Sequence, residues 1–569
     1  MPEQTKLLSP TAVAGGPARP KERVEELEEN AAEEAAQEVA EATEQAAAGG
    51  VSVEPAAQAA GVAGDSVVTP EAARTAEGEA ELTPEERKIV GRNVFKLAWP
   101  AIAENALQTL LGIVDTAVVA RLGTAALSGV GASQQLIWAL TTALIAVSMG
   151  TTVLIARFTG ARQYERASAV LKQSLMLGTL VGLLLLPIAF VSHPLLSMFG
   201  LTPQAAQDGA TYLSISMLFS IVLVLMFVAG AALRGAGDTK TPMFVTAFIN
   251  FINAVLAVEL VFGGQKASAI LSEWLSGAAS IFGGQAHITV PGIGWIPEMG
   301  VAGSAWATVI ARGIGAAILL SFFLLPRSSL QLWRGGGWRP AFGLIGRILK
   351  IGIPSAVEQL LMSIGILVYS FIVIGMGELV FATSRLALNA VFLSQMPGFG
   401  FSMAATTLVG QSLGAKQPGR ARLGSQLATR SALIWMSVMG VVFFFFGETI
   451  LRIFTDDPKL LHLGNDAMKV IAFSQPPLAL AFVLAGSLRG AGDVRFPMVV
   501  TTVAVWLVRL PTGAFLGLST VCIPFTTVCV PGLGLGLPGI YGALIVEASV
   551  RAVLMYRRFA SGKWEKMKV

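Results

Sequence analysis

One eleven-residue stretch occurs twice in this chain, at 233–243 and again at 488–498, and eight of its eleven positions are identical. Each copy joins two long apolar runs and combines an arginine and an aspartate with Gly-Ala-Gly and a closing proline. Flexible glycines beside charged side chains, ended by a proline, predict a tight polar turn between two helices. The turn residues are Arg234, Gly235, Gly237, Asp238 and Pro242 in the first copy and Arg489, Gly490, Gly492, Asp493 and Pro497 in the second. A repeat of this length predicts an internal duplication.

The repeat extends well beyond the turn, at an offset close to 255 residues that falls to 239 after external loops of unequal length. The further matches are Pro100 with Pro354, Glu104 with Glu358, Gly160 with Gly414, Pro203 with Pro458, and 300–312 with 539–551. The chain is therefore predicted to contain two homologous halves. The predicted segments are an N-terminal tail at 1–88, a six-helix bundle at 89–330, a linker at 331–346, a second six-helix bundle at 347–560 and a C-terminal tail at 561–569.

The apolar content predicts an all-α integral membrane protein. Of 569 residues, 54% are hydrophobic and 13% charged, with mean hydropathy +0.67, whereas soluble proteins have about 25% charged residues. Runs of about 18 or more apolar residues are long enough to cross a bilayer. The twelve predicted spans are 93–119, 128–156, 166–192, 207–233, 241–263, 300–325, 347–375, 385–411, 422–447, 462–487, 497–518 and 538–557. Six spans in each half give the halves the same orientation, related by an axis along the membrane normal.

The distribution of basic residues predicts the orientation. With the N-terminus inside, twenty basic residues fall in internal loops and the C-terminal tail, against five in external loops. Both termini are therefore predicted to be cytoplasmic, in a protein of the cell membrane. The longest external loop, 264–299, is predicted to contain a short interfacial helix. Because the basic residues lie in loops between spans, the net charge of +4 does not indicate a nucleic-acid partner. The protein is expected to be a monomer.

Two further segments carry less information. Residues 1–88 are rich in Ala, Glu, Gly and Pro, which predicts a disordered tail with a solitary helix at 23–47 and no assignable function. Cys522 and Cys529 are separated by six residues in one loop. With no histidine nearby a metal site is not expected, and both unpaired thiols and an external disulfide remain open.

The repeated turn, "VDTAVVARLG" at 114–123 and "VGQSLGA" at 409–415 together resemble the multidrug and toxic compound extrusion (MATE) family over residues 90–560. The second half is most similar to the DNA-damage-inducible branch. The resemblance implies two six-helix bundles that face each other in a V. It also implies export of organic cations, drugs or organic acids in exchange for sodium ions or protons.

Asp115 is the first candidate for that exchange, because a charged residue in the middle of an apolar span is costly and usually functional. Its counterpart in the second half is Tyr369, so the duplication does not require a carboxylate there. One interpretation is a carboxylate that binds a cation or exchanges a proton, and the family resemblance favours it. The other is a hydrogen bond to a neighbouring helix.

The resemblance adds Asn253 in span 5, with Asn250 one turn earlier, and Thr308 in span 6. Related proteins carry an aspartate four residues after this asparagine, where this chain has Ala257. Glu259 points to another face of the helix and is a poor substitute. Three side-chain oxygens suit a hard cation, and ordinary interhelical hydrogen bonds are the alternative for the asparagine and threonine.

Five other residues are candidates for substrate handling. Glu104 and Glu358 form a symmetric pair, each one turn after a proline, and could equally serve the shared architecture. Gln475, Arg509 and Glu547 lie in spans 10, 11 and 12. An ion pair of Glu547 with Arg509 or Arg551 would lower the cost of burying both charges, whereas an arginine at the central cavity would suit an anionic substrate.

The function expected from the sequence is secondary antiport of small organic compounds, with Na⁺ or H⁺ as the coupling ion and no other metal or cofactor. Proton coupling through Asp115 is favoured, because Ala257 leaves a sodium ion without the second carboxylate of related proteins. A flippase for lipid-linked precursors is the alternative transport function. A membrane-embedded lipid or isoprenoid enzyme is disfavoured, because no histidine-rich or aspartate-rich cluster is present.

Overall fold

The structure, a computed structural model, describes residues 83–281, 297–326, 328–522 and 529–567. The solitary helix predicted at 23–47 lies outside these residues. Within them, eleven helical segments are long and apolar enough to cross a membrane, and a bent pair of helices forms a twelfth. The spans are Pro84–Ala120, Thr124–Gly160, Tyr164–Leu185, Pro203–Leu218 with Ser220–Ala236, Lys240–Phe262, Val301–Phe322, Phe342–Ile374, Glu378–Gly414, Pro418–Leu451, Pro458–Gly490, Arg495–Gly517 and Gly536–Ala560, called spans 1 to 12.

Three elements differ from the predicted helices. Span 1 begins at Pro84, inside the predicted tail, because Thr83 and Glu86 form a capping box that starts the helix there. Span 4 was predicted as one helix, which is wrong: it bends by 57° between its two pieces, at Phe219. Span 11 contains a π-helical stretch at Ala504–Arg509 between Arg495–Val503 and Leu510–Gly517.

The duplication is visible in the backbone. Spans 2 and 8 have 37 residues each and begin and end at equivalent positions. Arg162 and Lys416 occupy equivalent positions after these spans, with φ of 56° and 58°, and no other non-glycine residue described here has a positive φ. A left-handed conformation is uncommon for a non-glycine residue. Its occurrence at both positions shows that the same turn follows the second span of each half.

The connections outside the spans are short elements. The loop helix predicted after span 5 is confirmed as Gly264–Ile281, and span 3 continues as a 3₁₀-helix, Leu186–Ala189, followed by a helix at Ser192–Ser197.

Strands Thr520–Cys522 and Cys529–Pro531 pair antiparallel, with Cys522 opposite Cys529 in register. Cys529 is disulfide-bonded, so the disulfide alternative applies to this loop.

The two halves contact each other near the ends of the spans that the basic residues predict to be cytoplasmic. A Cβ added at Gly352 of span 7 would lie 1.6 Å from the carbonyl oxygen of Ala146 in span 2. Similarly, a Cβ added at Gly414 of span 8 would lie 2.0 Å from the carbonyl oxygen of Arg157 in span 2. Only glycine permits backbones to approach this closely, so these positions fix the packing of one half on the other.

Candidate functional site

Asp115 lies in span 1 with 4% of the residue exposed. Its Oδ2 is 3.5 Å from the hydroxyl of Thr308 in span 6, and its Oδ1 is buried with no hydrogen-bond partner among the described residues. It forms no salt bridge with any residue that the structure describes. A buried carboxylate that is only partly hydrogen-bonded is costly, which distinguishes Asp115 from a carboxylate satisfied by its packing contacts.

Asn253 and Thr308 lie beside this carboxylate, as the sequence predicts. The Asn253 amide donates to Thr308 Oγ1 at 3.1 Å. The Thr308 hydroxyl carries one proton and lies 3.1 Å from the Ser304 carbonyl as well as near Asp115, so it can donate to only one of them at a time. The Asn253 Oδ1 and Ser304 Oγ are buried without a partner in the described part of the chain.

These oxygens are of the kinds that bind hard cations. Asp115 Oδ1, Asn253 Oδ1 and Ser304 Oγ are buried without a hydrogen-bond partner in the described part of the chain. Thr308 Oγ1 contacts both Asn253 and Asp115. Hard cations are bound by carboxylate, amide and hydroxyl oxygens, so the residue types fit. The set contains a single carboxylate, which also suits exchange of one proton.

The position of the missing aspartate is apolar. Ala257 is fully buried, in a cluster that includes Val118 and Ala307. Glu259 is 2% exposed, and its Oε2 has no partner among the described residues. It makes no hydrogen bond to Asp115 or Asn253, so it does not replace the missing carboxylate at this site.

Asn250 has a different neighbour. Its amide donates to the Leu107 carbonyl of span 1 at 2.5 Å, which ties span 5 to span 1 about two turns before Asp115. Two residues near Asp115 were not among the predicted site residues, although Arg312 is a charged residue in an apolar span, the same signal that identifies Asp115. Arg312, one turn after Thr308, is close enough to interact electrostatically with Asp115, and Tyr212 from span 4 is close enough to interact with both Thr308 and Asp115.

Glu104 and Glu358 form ion pairs with the repeated turns. Arg234 Nη1 donates to Glu104 Oε1 at 2.8 Å, and Arg489 Nη2 donates to Glu358 Oε1 at 2.7 Å. Thr501 adds a second hydrogen bond to Glu358, at 2.9 Å. Each glutamate therefore ties the first span of its half to the repeated turn of the same half. This contact agrees with the interpretation that the pair serves the shared architecture.

The repeated turn also connects the halves. Gly237 ends span 4 in the left-handed conformation, with φ of 92°, and beside it the carbonyls of Arg234 and Gly235 accept hydrogen bonds from span 8. The donors are the Thr407 hydroxyl and the Gln411 amide, both at 3.1 Å. The predicted turn is thus a contact point between the two bundles as well as a connection.

The second-half candidates are buried within their own bundle. Gln475 is fully buried and accepts a hydrogen bond from Ser394 at 3.0 Å. Glu547 pairs with Arg551 at 2.9 Å, and both side chains are almost fully buried. Arg509 forms no salt bridge with a described residue. Its guanidinium instead lies over the ring of Tyr369, 4.3 Å from the centroid.

Comparison with known proteins agrees with this architecture. The chain matches the MatE family model at residues 100–258 and 354–515. It is 35% identical over 490 residues, 85% of this chain and 95% of the relative, to a "Probable multidrug resistance protein NorM" of Thermotoga maritima. It is 27% identical over 477 residues, 83% of this chain and 94% of the relative, to the "Uncharacterized transporter YisQ" of Bacillus subtilis.

A solved structure described as the outward-facing conformation of a multidrug resistance MATE family transporter of the MOP superfamily has the same fold. The TM-score is 0.68 at 19% identity, covering 83% of this chain and 96% of that one. The predicted all-α membrane fold of two six-helix bundles is thereby confirmed. With a family model that matches both repeated halves and a relative at 35% identity, the chain belongs to the MatE family, the multidrug and toxic compound extrusion family that its motifs resemble.

Proposed function

We propose that this multi-pass membrane transporter is a secondary antiporter that exports organic compounds in exchange for protons or sodium ions. The observation that carries the proposal is the Asp115 group, in which a buried carboxylate lacks an ion pair and has oxygens of Asn253 and Thr308 beside it. The names of related proteins as multidrug resistance proteins support drug-like substrates, and organic cations and organic acids are the other classes considered.

The coupling follows from linkage between two ligands. A cation or proton at Asp115 drives export only if its binding and substrate binding weaken each other, because coupling between two sites is reciprocal. The contacts between halves at Gly352 and Gly414 close the end predicted to be cytoplasmic. In this arrangement the substrate leaves to the outside, and the opposite arrangement takes it up from the cytoplasm. The protein acts as a monomer with both termini in the cytoplasm.

Protons are the coupling ion that the donor set favours. A sodium ion loses its water oxygens on binding and requires several protein oxygens and nearby negative charge in return. The described site offers a single carboxylate, since Ala257 lies among apolar side chains. A single buried carboxylate is enough to bind and release one proton.

Efflux from proteoliposomes tests the function and the ion together. We expect wild-type protein to expel a fluorescent organic cation when a pH gradient is imposed without sodium. A sodium gradient at equal pH should give little efflux. Asp115→Asn should abolish the pH-driven efflux while thermal stability stays close to that of the wild type. Asp208→Asn, which changes another carboxylate of the first half, is the matched control and should transport normally.

Two results would contradict the proposal. Full pH-driven efflux by Asp115→Asn would remove Asp115 from the coupling mechanism. Robust sodium-driven and pH-independent efflux by the wild type would exclude proton coupling and direct attention to Glu259 or to the Glu547 region.

A further inference from the structure

A cavity of about 810 Å³ lies at the end of the second bundle that is predicted to be cytoplasmic. Its lining comes from the first turns of span 7, the turn between spans 10 and 11, the start of span 11 and the end of span 12. Its polar lining contains four basic side chains and one acidic one: Arg347, Lys350, Arg495, Arg558 and Asp493. Its apolar wall includes Ile351, Phe496 and Val499.

The cavity has an excess of positive charge. Asp493 is already bonded to Arg558, whose Nε donates to Asp493 Oδ2 at 2.7 Å. Arg347, Lys350 and Arg495 are exposed and form no salt bridge with any described residue. Three unpaired cations around one concave surface repel each other unless an anion lies between them.

The first half lacks this arrangement, although it has the same turn. There Asp238 accepts hydrogen bonds from the Thr241 backbone at 3.0 Å and from the Thr241 hydroxyl at 2.6 Å. In the second half Phe496 replaces that threonine, and Arg558 stands where the first half has Leu319. Arg558 bonds Asp493 and lies over the Phe496 ring, 5.2 Å from its centroid. The Arg558–Asp493 pair over Phe496 therefore has no counterpart at the equivalent positions of the first half.

We propose that this cavity binds the phosphate headgroup of an anionic phospholipid from the adjacent leaflet. Basic pockets at the cytoplasmic ends of membrane helices bind anionic headgroups, because charge attraction acts there together with the apolar surface below. The basic residues of the cavity supply the charge attraction. Val499, which is 51% exposed, and the half-buried Phe496 supply an apolar wall for the acyl chains, which a soluble phosphate would leave unused.

Binding at this place would favour the observed arrangement of the halves. Met567 also lines the cavity, and its carbonyl accepts a hydrogen bond from Arg157 of the first half at 2.5 Å. The beginning of span 7, which carries Arg347 and Lys350, is the segment that packs on span 2 through Gly352. A lipid that bridges these pieces would stabilise the closed end and couple membrane composition to transport.

Thermal unfolding of the purified full-length protein in an uncharged detergent tests the site. Phosphatidylglycerol and phosphatidylcholine with identical acyl chains are titrated in parallel, and sn-glycerol 3-phosphate serves as the soluble headgroup. We expect phosphatidylglycerol alone to raise the unfolding midpoint. Lys350→Gln with Arg495→Gln should lower the apparent affinity roughly thirtyfold, since each basic residue at the surface contributes about fivefold.

The repeat provides the matched control. Lys96 and Lys240 are exposed and occupy the equivalent positions of the first half, so Lys96→Gln with Lys240→Gln should leave the response to phosphatidylglycerol unchanged. An equal response to both lipids, or an undiminished response of the Lys350→Gln and Arg495→Gln variant, would overturn the proposal. Stabilisation by glycerol phosphate at the same concentration would show a soluble-anion site and would also refute a lipid site. None of these outcomes depends on transport or on its coupling ion.

Discussion

At the scale of single residues, the two halves place different chemistry at equivalent positions. Asp115 of span 1 corresponds to Tyr369 of span 7, and Thr308 of span 6 corresponds to Glu547 of span 12. The first half therefore buries a carboxylate without a salt bridge, whereas the Glu547 carboxylate is paired with Arg551 at 2.9 Å. A carboxylate that is already paired with an arginine is less free to exchange a proton or a cation, so the proposed ion exchange is assigned to the first half.

Restoring the missing carboxylate tests the proposed preference for protons over sodium ions. Asp at position 257 would lie one turn from Asn253, on the same face of span 5, and would give the site a second negative charge. We expect Ala257→Asp to introduce sodium-dependent efflux or sodium-dependent thermal stabilisation. Ala257→Asn has the same shape without the charge and should do neither. Equal sodium responses in both variants would show that charge at this position does not select the ion.

Some of these residues could be predicted from the sequence and others could not. Asp115 stands out because it is isolated in an apolar span, and the family motif adds Asn253 and Thr308. The pairing of Glu104 with Arg234 stayed open, because 130 residues separate the two charges and only the fold brings them together. Tyr212 has no signal of its own, since a tyrosine in an apolar helix is equally compatible with ordinary packing.

At the scale of elements, the hydrophobic runs predict how many spans exist but not how each one bends. Span 10 contains Pro476 and Pro477 within one helix, whereas span 4 breaks at Phe219, where neither proline nor glycine is present. A contact with span 3 accompanies the break: the Ser220 hydroxyl donates to the Gly182 carbonyl at 2.8 Å. Tertiary contacts of this kind have no counterpart in the local sequence, so the single helix predicted for span 4 was wrong.

The glycine contact of span 7 gives a prediction at the same scale. The backbone of Gly352 approaches span 2 so closely that Gly352→Ala must push the two helices apart, which costs about 1–3 kcal/mol for an overpacked contact. We expect a lower unfolding midpoint and reduced efflux. Gly346, in the same helix, has nothing within 4 Å of an added Cβ, so Gly346→Ala should be neutral or slightly stabilising. Equal effects of the two substitutions would mean that the contact with span 2 does not hold the halves together.

At the scale of the whole molecule, the linker between the halves and the C-terminal residues play the same structural role, because each packs over a span of its own half. The linker after span 6 covers the end of span 3, where the Gln173 amide donates to the Arg339 carbonyl at 2.9 Å. The residues after span 12 cover span 9 in the same way, through a salt bridge of Arg422 with Glu565 at 2.9 Å. Trp564 is fully buried there and stacks on Phe559, with 4.9 Å between ring centroids. The predicted tail at 561–569 therefore belongs, in its described part, to the packed bundle.

Alternating access requires the contacts between the halves to separate during each cycle, and this is testable with a reversible crosslink. An added Cβ at Gly410 of span 8 would lie 2.8 Å from the Ala156 Cβ of span 2, and disulfides require about 3.5–4.5 Å between Cβ atoms. A shift of about 1 Å would therefore allow Ala156→Cys and Gly410→Cys to form one. We expect oxidation of the double variant to stop efflux and reduction to restore it. Each single variant should transport under both conditions, and reductant applied to the wild type controls for the native disulfide at Cys529. Undiminished efflux with the crosslink formed would mean that this end stays closed throughout transport, and alternating access between these two bundles would then be excluded.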